Sequence, residues 1–70
     1  MADHNPNRMK RYQRLVARYD RAVKIGMTDR RKASLRSCFA AVAADLAGET
    51  FTWDVLEACE TCNRLVAELS

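Results

Sequence analysis

Glycine, proline, histidine and aromatic residues are all scarce in this chain of 70 residues. It has two glycines, one proline, one histidine and 7% aromatic residues. With His4 as its only histidine it offers no Ser-His-Asp or Cys-His arrangement, and two isolated glycines cannot build a phosphate-binding loop. A chain this short also has few residues with which to wall a deep pocket. These shortages predict a protein that is not an enzyme and that uses no cofactor.

Long apolar segments and paired cysteines are missing as well. The longest uncharged apolar run covers residues 38–44, whereas crossing a bilayer takes about 20 residues. Residues 1–6 contain no apolar signal core. The three cysteines form an odd set, which argues against a disulfide framework and fits a reducing compartment. We therefore expect a cytoplasmic protein with free thiols and no membrane partner.

Signals for the start and end of a helix occur three times, and no segment alternates apolar and polar residues in the manner of a β-strand. Side chains that accept hydrogen bonds from the first helical amides begin helices, and glycine ends them. The residues concerned are Asn5-Pro6 and Gly26 for the first helix, Thr28 and Gly48 for the second, and Thr52 or Asp54 for the third. These signals predict helices at about 6–25, 29–47 and 53–69.

Each predicted helix has apolar residues at a spacing of three and four, which places them on one face. The stripes are Met9, Tyr12, Val16, Tyr19 and Val23; Leu35, Phe39, Val42 and Leu46; and Val55, Cys59, Cys62, Val66 and Leu69. Short connections make consecutive helices antiparallel. The sequence thus predicts one all-α domain, an up-down-up three-helix bundle that is complete alone or is completed by dimerisation.

Two apolar features outside these stripes are each open to two interpretations. The second helix also has a face of small residues, namely Ala33, Ser37, Ala40, Ala41, Ala44 and Ala47. We expect the core to surround this helix and cover that face; the alternative is an exposed, flat surface that another helix could approach. Phe51 and Trp53 either close one end of the core or form an exposed apolar anchor for a partner.

Charge is distributed very unevenly along the chain. Residues 1–36 hold eleven of the twelve basic residues and three acids, a net +8, whereas residues 37–70 hold one basic residue and six acids, a net −5. Guanidinium groups predominate, and their planar fork suits phosphates and carboxylates. The basic residues predicted to lie opposite the apolar stripe of the first helix, and at the start of the second, are Lys10, Arg11, Arg14, Arg18, Arg21, Lys24, Arg30, Arg31, Lys32 and Arg36.

This basic surface has several interpretations. A solvated helix face usually mixes acids with bases to gain pairs along the helix, and only Asp20 supplies an interior acid here. The surface could instead bind an acidic protein, or a nucleic-acid backbone, with a steep dependence on salt. It could also be matched by Glu57, Glu60 and Glu68 of the third helix, within the chain or from a second copy.

The cysteines form a C-x-x-C pair, Cys59 and Cys62, with Cys38 as a third thiol and His4 as the remaining candidate ligand. Zinc prefers four nitrogen or sulfur ligands, but His4 lies at a chain end predicted to be frayed. A thioredoxin-like redox pair is expected between a strand and a helix, and no strand is predicted. Because the pair falls on the apolar stripe of its helix, we predict core cysteines and no metal site.

The leading hypothesis is a small non-enzymatic binding and regulatory protein whose arginine-rich face docks an acidic partner protein. The alternative is a nucleic-acid-binding regulator that contacts phosphates with the same arginines. A third hypothesis is a structural homodimer with internally matched charge. Size, charge split and the lack of a catalytic set are typical of small bacterial or phage-encoded accessory proteins.

Overall fold

The computed structural model describes residues 6–70, which form three α-helices joined by short turns. Helix α1 covers Pro6–Ile25, α2 covers Asp29–Leu46 and α3 covers Trp53–Glu68. No strand occurs in this part of the chain. The predicted all-α three-helix bundle is confirmed, and α2 and α3 each end one residue earlier than predicted. Residues 1–5, with the proposed cap Asn5 and the candidate ligand His4, lie outside the described residues.

The helices begin and end where local chemistry favours it. Gly26 has a φ angle of +116°, in the left-handed region that side chains with a Cβ disfavour, and it ends α1. The Thr28 hydroxyl accepts a hydrogen bond from the Arg31 amide at 3.2 Å and caps α2. For α3 the cap is Thr52, whose hydroxyl accepts from the Val55 amide at 3.2 Å. Thr52, and not Asp54, is therefore the residue that caps α3.

Helix α2 lies at the centre of the bundle and packs against both α1 and α3. Its Phe39 is fully buried, as is Cys62 of α3. The ring of Tyr19 meets Phe39 edge to face, with ring centroids 5.9 Å apart, and so ties α1 to this core. The buried apolar residues are Leu15, Ala22, Leu35, Phe39, Leu46, Val55, Ala58, Cys62, Leu65 and Leu69.

The most buried sides of α1 and α3 are rotated slightly from the predicted stripes. The side of each helix that faces α2 is its most buried side. This side is offset from the middle of the predicted apolar stripe. Leu15, Ala22, Ala58 and Leu65, which flank the predicted stripes, are buried, whereas Val23 is 54% exposed and Cys59 and Val66 are half-buried.

The small face of α2 is exposed, contrary to our expectation that the core surrounds this helix. All six of its residues, from Ala33 to Ala47, lie at the surface. Two neighbouring helices cover only part of the circumference of α2, and the large side chains Leu35, Phe39 and Leu46 occupy the covered part. Burying these side chains removes more apolar area from water than burying alanine, which explains why the alanines are left outside.

Phe51 and Trp53 do not close the core. Their side chains are 69% and 79% exposed, and they contact each other with ring centroids 6.2 Å apart. The interpretation as a core lid is therefore wrong, and the pair is a small exposed aromatic cluster.

The bundle is elongated, with principal extents of 41 × 18 × 16 Å. Its long dimension follows the helix axes, so the shallow grooves between neighbouring helices run along the molecule. Among residues 6–70, no helix combines the length and the apolar character needed to cross a membrane.

Candidate functional site

Two adjoining depressions, each with a volume of about 390 Å³, lie along the seam between α1 and α2. Arg18 lines both, and its side chain crosses the seam between them; we call the two depressions together the arginine groove. Its lining residues are Arg11, Arg14, Leu15, Arg18, Arg21, Ala22 and Ile25 from α1, with Arg30, Arg31, Ser34, Leu35, Cys38, Ala41, Val42 and Asp45 from α2.

The groove follows from the spacing of residues on the two helices. Arg11, Arg14, Arg18 and Arg21 are three or four residues apart, so they share the side of α1 beside α2. The facing side of α2 carries the small residues Ser34, Cys38 and Ala41, again three and four apart. Long side chains on α1 opposite short ones on α2 leave space along the seam, which the Arg18 side chain divides in two. This space extends over residues 11–25 of α1, about 21 Å of helix.

Two arginines of the groove make hydrogen bonds to uncharged groups. Arg18 reaches across to α2, where Nη2 donates to the Ser34 hydroxyl at 3.2 Å and Nη1 lies 3.9 Å from the Cys38 sulfur. Arg31 Nη1 donates to the Gly26 carbonyl at 2.7 Å, at the carbonyl end of α1. These bonds orient both guanidinium groups but do not neutralise them.

One end of the groove is different, because its charges are paired. Asp45 Oδ2 lies 3.4 Å from Arg11 Nη1, and Asp45 Oδ1 lies 3.4 Å from Arg8 Nε. Asp45 is the one carboxylate among the lining residues, whereas six guanidinium groups line the groove. Within residues 6–70, none of the ion pairs involves Arg14, Arg21 or Arg30. The surplus of positive charge is therefore concentrated toward the α1–α2 turn.

The other four predicted basic residues do not line this groove. Lys10 and Lys24 are exposed on α1, while Lys32 and Arg36 border a separate 230 Å³ depression beside Leu69. Six of the ten predicted basic residues line the arginine groove, four of them from α1 and two from the start of α2.

The carboxylates of α3 lie on another side of the molecule. Asp54 and Glu57 border a depression between α1 and α3, together with Met9, Tyr12 and Gln13. No ion pair joins α1 to α3 within the part of the chain that the structure describes. The acidic face of α3 therefore does not neutralise the arginine groove within the same chain.

The three cysteines are free thiols. No cluster of three histidine, cysteine or acidic side chains that could hold a metal ion occurs among the described residues. Cys62 lies in the core, where burial, with a contribution from Cys59, raises the pKa of its thiol to about 11. Cys38 is half-buried in the arginine groove, and Cys59 is half-buried on α3.

We expect the pKa of Cys62 to make it the least reactive thiol and a source of pH dependence. Alkylation at pH 8, followed by mass spectrometry, should modify Cys62 more slowly than Cys38 or Cys59, and unfolding in urea should equalise the rates. The unfolded thiol ionises near pH 9, whereas the folded thiol keeps its proton to about pH 11. The free energy of unfolding should therefore decrease as the pH rises through that window. This decrease should be absent in Cys62→Ala, and equal alkylation rates in the folded chain would contradict the buried placement.

Comparisons with known protein families, with curated proteins and with solved structures find no match to this chain.

The sequence indicated the arginines but not the groove. We predicted a basic face without assigning Ser34, Cys38 and Ala41 to the opposite wall, and without placing Asp45 at one end. Their spacing of four, three and four residues along α2 was the available signal, since it defines a line of short side chains beside the apolar stripe.

Proposed function

We propose that this chain is a non-enzymatic binding protein that docks an acidic surface of a partner protein in the arginine groove and thereby regulates that partner. The observation that carries the proposal is the excess of guanidinium groups over carboxylates along one groove, six against one. Charge of one sign, collected in a concave surface, attracts an oppositely charged partner and orients it during approach.

The apolar floor favours a protein partner over a nucleic acid. Ile25 and Ala41, which are exposed, and Val42, which is half-buried, line the groove beside the arginines. A partner protein can present apolar side chains to this floor and carboxylates to the arginines at the same time. A phosphate backbone offers charge alone and would leave the floor uncovered.

A nucleic-acid-binding regulator remains the second candidate because of one local feature. Arg18, Arg21, Arg30 and Arg31 line the same depression near the α1–α2 turn. Arginine forks bind phosphates well, so this end of the groove could grip a backbone. Such binding would weaken steeply with salt, in proportion to the number of phosphates neutralised.

We also propose a cytoplasmic location, on the basis of the three free thiols. Free cysteines are typical of proteins in a reducing compartment. This location would place the groove among cytoplasmic partners.

A charge-reversal capture experiment tests the proposed function. The tagged chain is used to capture proteins from the cells that encode it, with and without nuclease, at low and moderate salt. We expect a nuclease-resistant protein that is lost with Arg14→Glu/Arg18→Glu, because two cations of the groove are reversed. The matched control is Lys10→Glu/Lys24→Glu, which changes the net charge equally on exposed residues that do not line the groove.

The outcomes separate the two candidates. Retention of the captured protein by Lys10→Glu/Lys24→Glu, together with its loss in the groove variant, supports acidic-partner docking. Equal loss in both variants would indicate attraction to the overall charge and would contradict a groove site. Loss of all captured material after nuclease would favour the nucleic-acid candidate. Circular dichroism of each variant verifies that the helices remain folded.

A further inference from the structure

The half of the arginine groove beside the α1–α2 turn differs in composition from the other half. We call it the turn depression. It has a volume of about 390 Å³, and its charged lining residues are arginines alone, namely Arg18 and Arg21 from α1 with Arg30 and Arg31 from α2. The other half contains the carboxylate of Asp45, which is paired with arginine. Uncompensated positive charge is therefore concentrated in the turn depression.

The four guanidinium groups come from a short length of each helix. The lining residues span positions 18–25 of α1 and 30–35 of α2, about two turns of each helix. All four arginine side chains are exposed, so an anion can reach them from solvent. Arg18 crosses the seam to Ser34 and separates this depression from the other half of the groove. The charge thus surrounds one small volume, which suits a compact anion better than an extended chain.

Two of these guanidinium groups are oriented by neutral acceptors. Arg18 Nη2 donates to the Ser34 hydroxyl, and Arg31 Nη1 donates to the Gly26 carbonyl. A guanidinium group has five N–H donors, so each of the two retains donors for a ligand. Groups that are oriented before binding lose less conformational freedom when the ligand arrives.

Arg21 and Arg30 have no internal partner. Within residues 6–70 their side chains make no hydrogen bond and no ion pair. Arg30 also lies in the first turn of α2, where the helix dipole makes a cation unfavourable. Asp29, the acid of that turn, lines a different depression with Lys32 and Arg36. An anion in the turn depression would relieve the repulsion among the arginines and compensate for the position of Arg30.

A phosphate monoester matches these donors better than a carboxylate or a phosphodiester does. Its charge at pH 7 is about −1.5 to −2, and its three terminal oxygens accept hydrogen bonds, so arginine forks from two helices can bind it together. A carboxylate has two oxygens in one plane and a single charge. A nucleic-acid backbone distributes its charge along its length, and the Arg18 side chain and the Asp45 carboxylate interrupt the groove that such a backbone would follow.

We infer that the turn depression is a binding site for one phosphate monoester group, held by the guanidinium groups of Arg18, Arg21, Arg30 and Arg31. Such groups occur on phosphorylated protein side chains and on small phosphorylated molecules, and the chemistry of the site fits both. For the first source the inference rests on the proposed function and deepens it, because the acidic surface of the partner then includes the phosphate. Docking would depend on phosphorylation of the partner.

The test compares three peptides that differ only at two central positions. These positions are phosphoserine-alanine, glutamate-glutamate or serine-alanine, and binding is measured by fluorescence anisotropy at a fixed ionic strength. The first two peptides carry nearly the same charge at pH 7. We expect the phosphopeptide to bind about tenfold more tightly than the two-glutamate peptide, because only the phosphate presents three oxygens at one point. Equal affinities would contradict a phosphate site.

A matched pair of variants locates the binding. Arg21→Gln/Arg30→Gln removes two guanidinium groups of the site and should lower the affinity for the phosphopeptide about tenfold. Arg36→Gln/Arg64→Gln makes the same chemical change at exposed residues that do not line the arginine groove, and it should lower the affinity less than about twofold. Equal weakening in both variants would indicate attraction to the net charge and would overturn the site. Circular dichroism verifies that both variants are folded.

Free O-phosphoserine, used to displace the labelled phosphopeptide, distinguishes the two sources of the phosphate. For a phosphorylated partner, the phosphopeptide should bind at least about tenfold more tightly than O-phosphoserine, because its flanking residues also contact the protein. For a small phosphorylated ligand, the two affinities should be similar, and both should fall in Arg21→Gln/Arg30→Gln. Either result supports the phosphate site.

The failures of this inference and of the proposed function can be told apart. If the phosphopeptide and the two-glutamate peptide bind equally and both are weakened by Arg14→Glu/Arg18→Glu, acidic docking stands and the phosphate inference is wrong. If the phosphopeptide binds selectively but the capture experiment yields no nuclease-resistant protein, the phosphate site stands and docking of a partner protein is wrong. If neither the peptides nor O-phosphoserine binds but a generic DNA duplex does, with a steep salt dependence, both are wrong.

Discussion

Replacement of Phe39 by alanine is expected to leave most of the chain unfolded. Phe39 is fully buried at the centre of α2 and meets Tyr19 edge to face, so α1 and α2 both lose contacts with its ring. Truncation of a core phenylalanine to alanine typically costs about 3–5 kcal/mol. A domain of this length has a free energy of unfolding of about 4–10 kcal/mol, and small cores lie toward the lower end. The loss is therefore comparable with the entire stability.

Phe51→Ala is the matched control, since it makes the same chemical change at a ring that is 69% exposed. Urea unfolding followed by circular dichroism should show a change of less than about 1 kcal/mol for this variant. Similar losses of stability in the two variants would contradict the placement of Phe39 in the core and of Phe51 outside it.

Replacement of Glu49 by alanine should cost about 2 kcal/mol of stability, an unusually large effect for a residue in a turn. The Glu49 side chain is almost fully buried, its Oε1 accepts from the Thr50 amide at 3.1 Å, and its Oε2 lies 3.6 Å from Arg8 Nη1. Without the carboxylate, a largely buried guanidinium loses one of its partners. Because Asp45 continues to pair with Arg8, the cost stays below the 3–5 kcal/mol typical of a fully broken buried pair.

Glu60→Ala serves as the control, because Glu60 is exposed on α3. Its free energy of unfolding, measured in urea, should stay within about 0.5 kcal/mol of that of the unchanged chain. A Glu49→Ala variant as stable as Glu60→Ala would show that the buried carboxylate does not hold the turn against α1.

The position of Glu49 also bears on the groove. Arg8 lies against the α2–α3 turn and pairs with both Glu49 and Asp45. Asp45 also contacts Arg11, so the carboxylates of Asp45 and Glu49 are both paired at one end of the α1–α2 seam. Arg14, Arg21 and Arg30 lie beyond the reach of this cluster, which explains why the excess charge collects toward the α1–α2 turn.

Local chemistry was sufficient to predict the helices. Threonine hydroxyls at 28 and 52 cap α2 and α3, and Gly26 adopts the positive φ that ends α1. These signals act over three or four residues, so they can be interpreted without knowing the fold. The same applies to the identity of the main core residues, such as Leu35 and Phe39, because helical spacing places them on one side of α2.

Which side chains of a helix are buried and which are exposed depended on the neighbouring helices that pack against it. The sequence by itself determined three capped helices, their apolar stripes and a surplus of arginine in the first half of the chain. Only the tertiary structure decided that the alanine face and the Phe51–Trp53 pair stay exposed, that Asp45 and Glu49 pair with Arg8, and that six arginines flank a groove. The physical reason is that caps and periodicity act within one helix, whereas burial, ion pairing and groove formation depend on the directions in which two other helices approach.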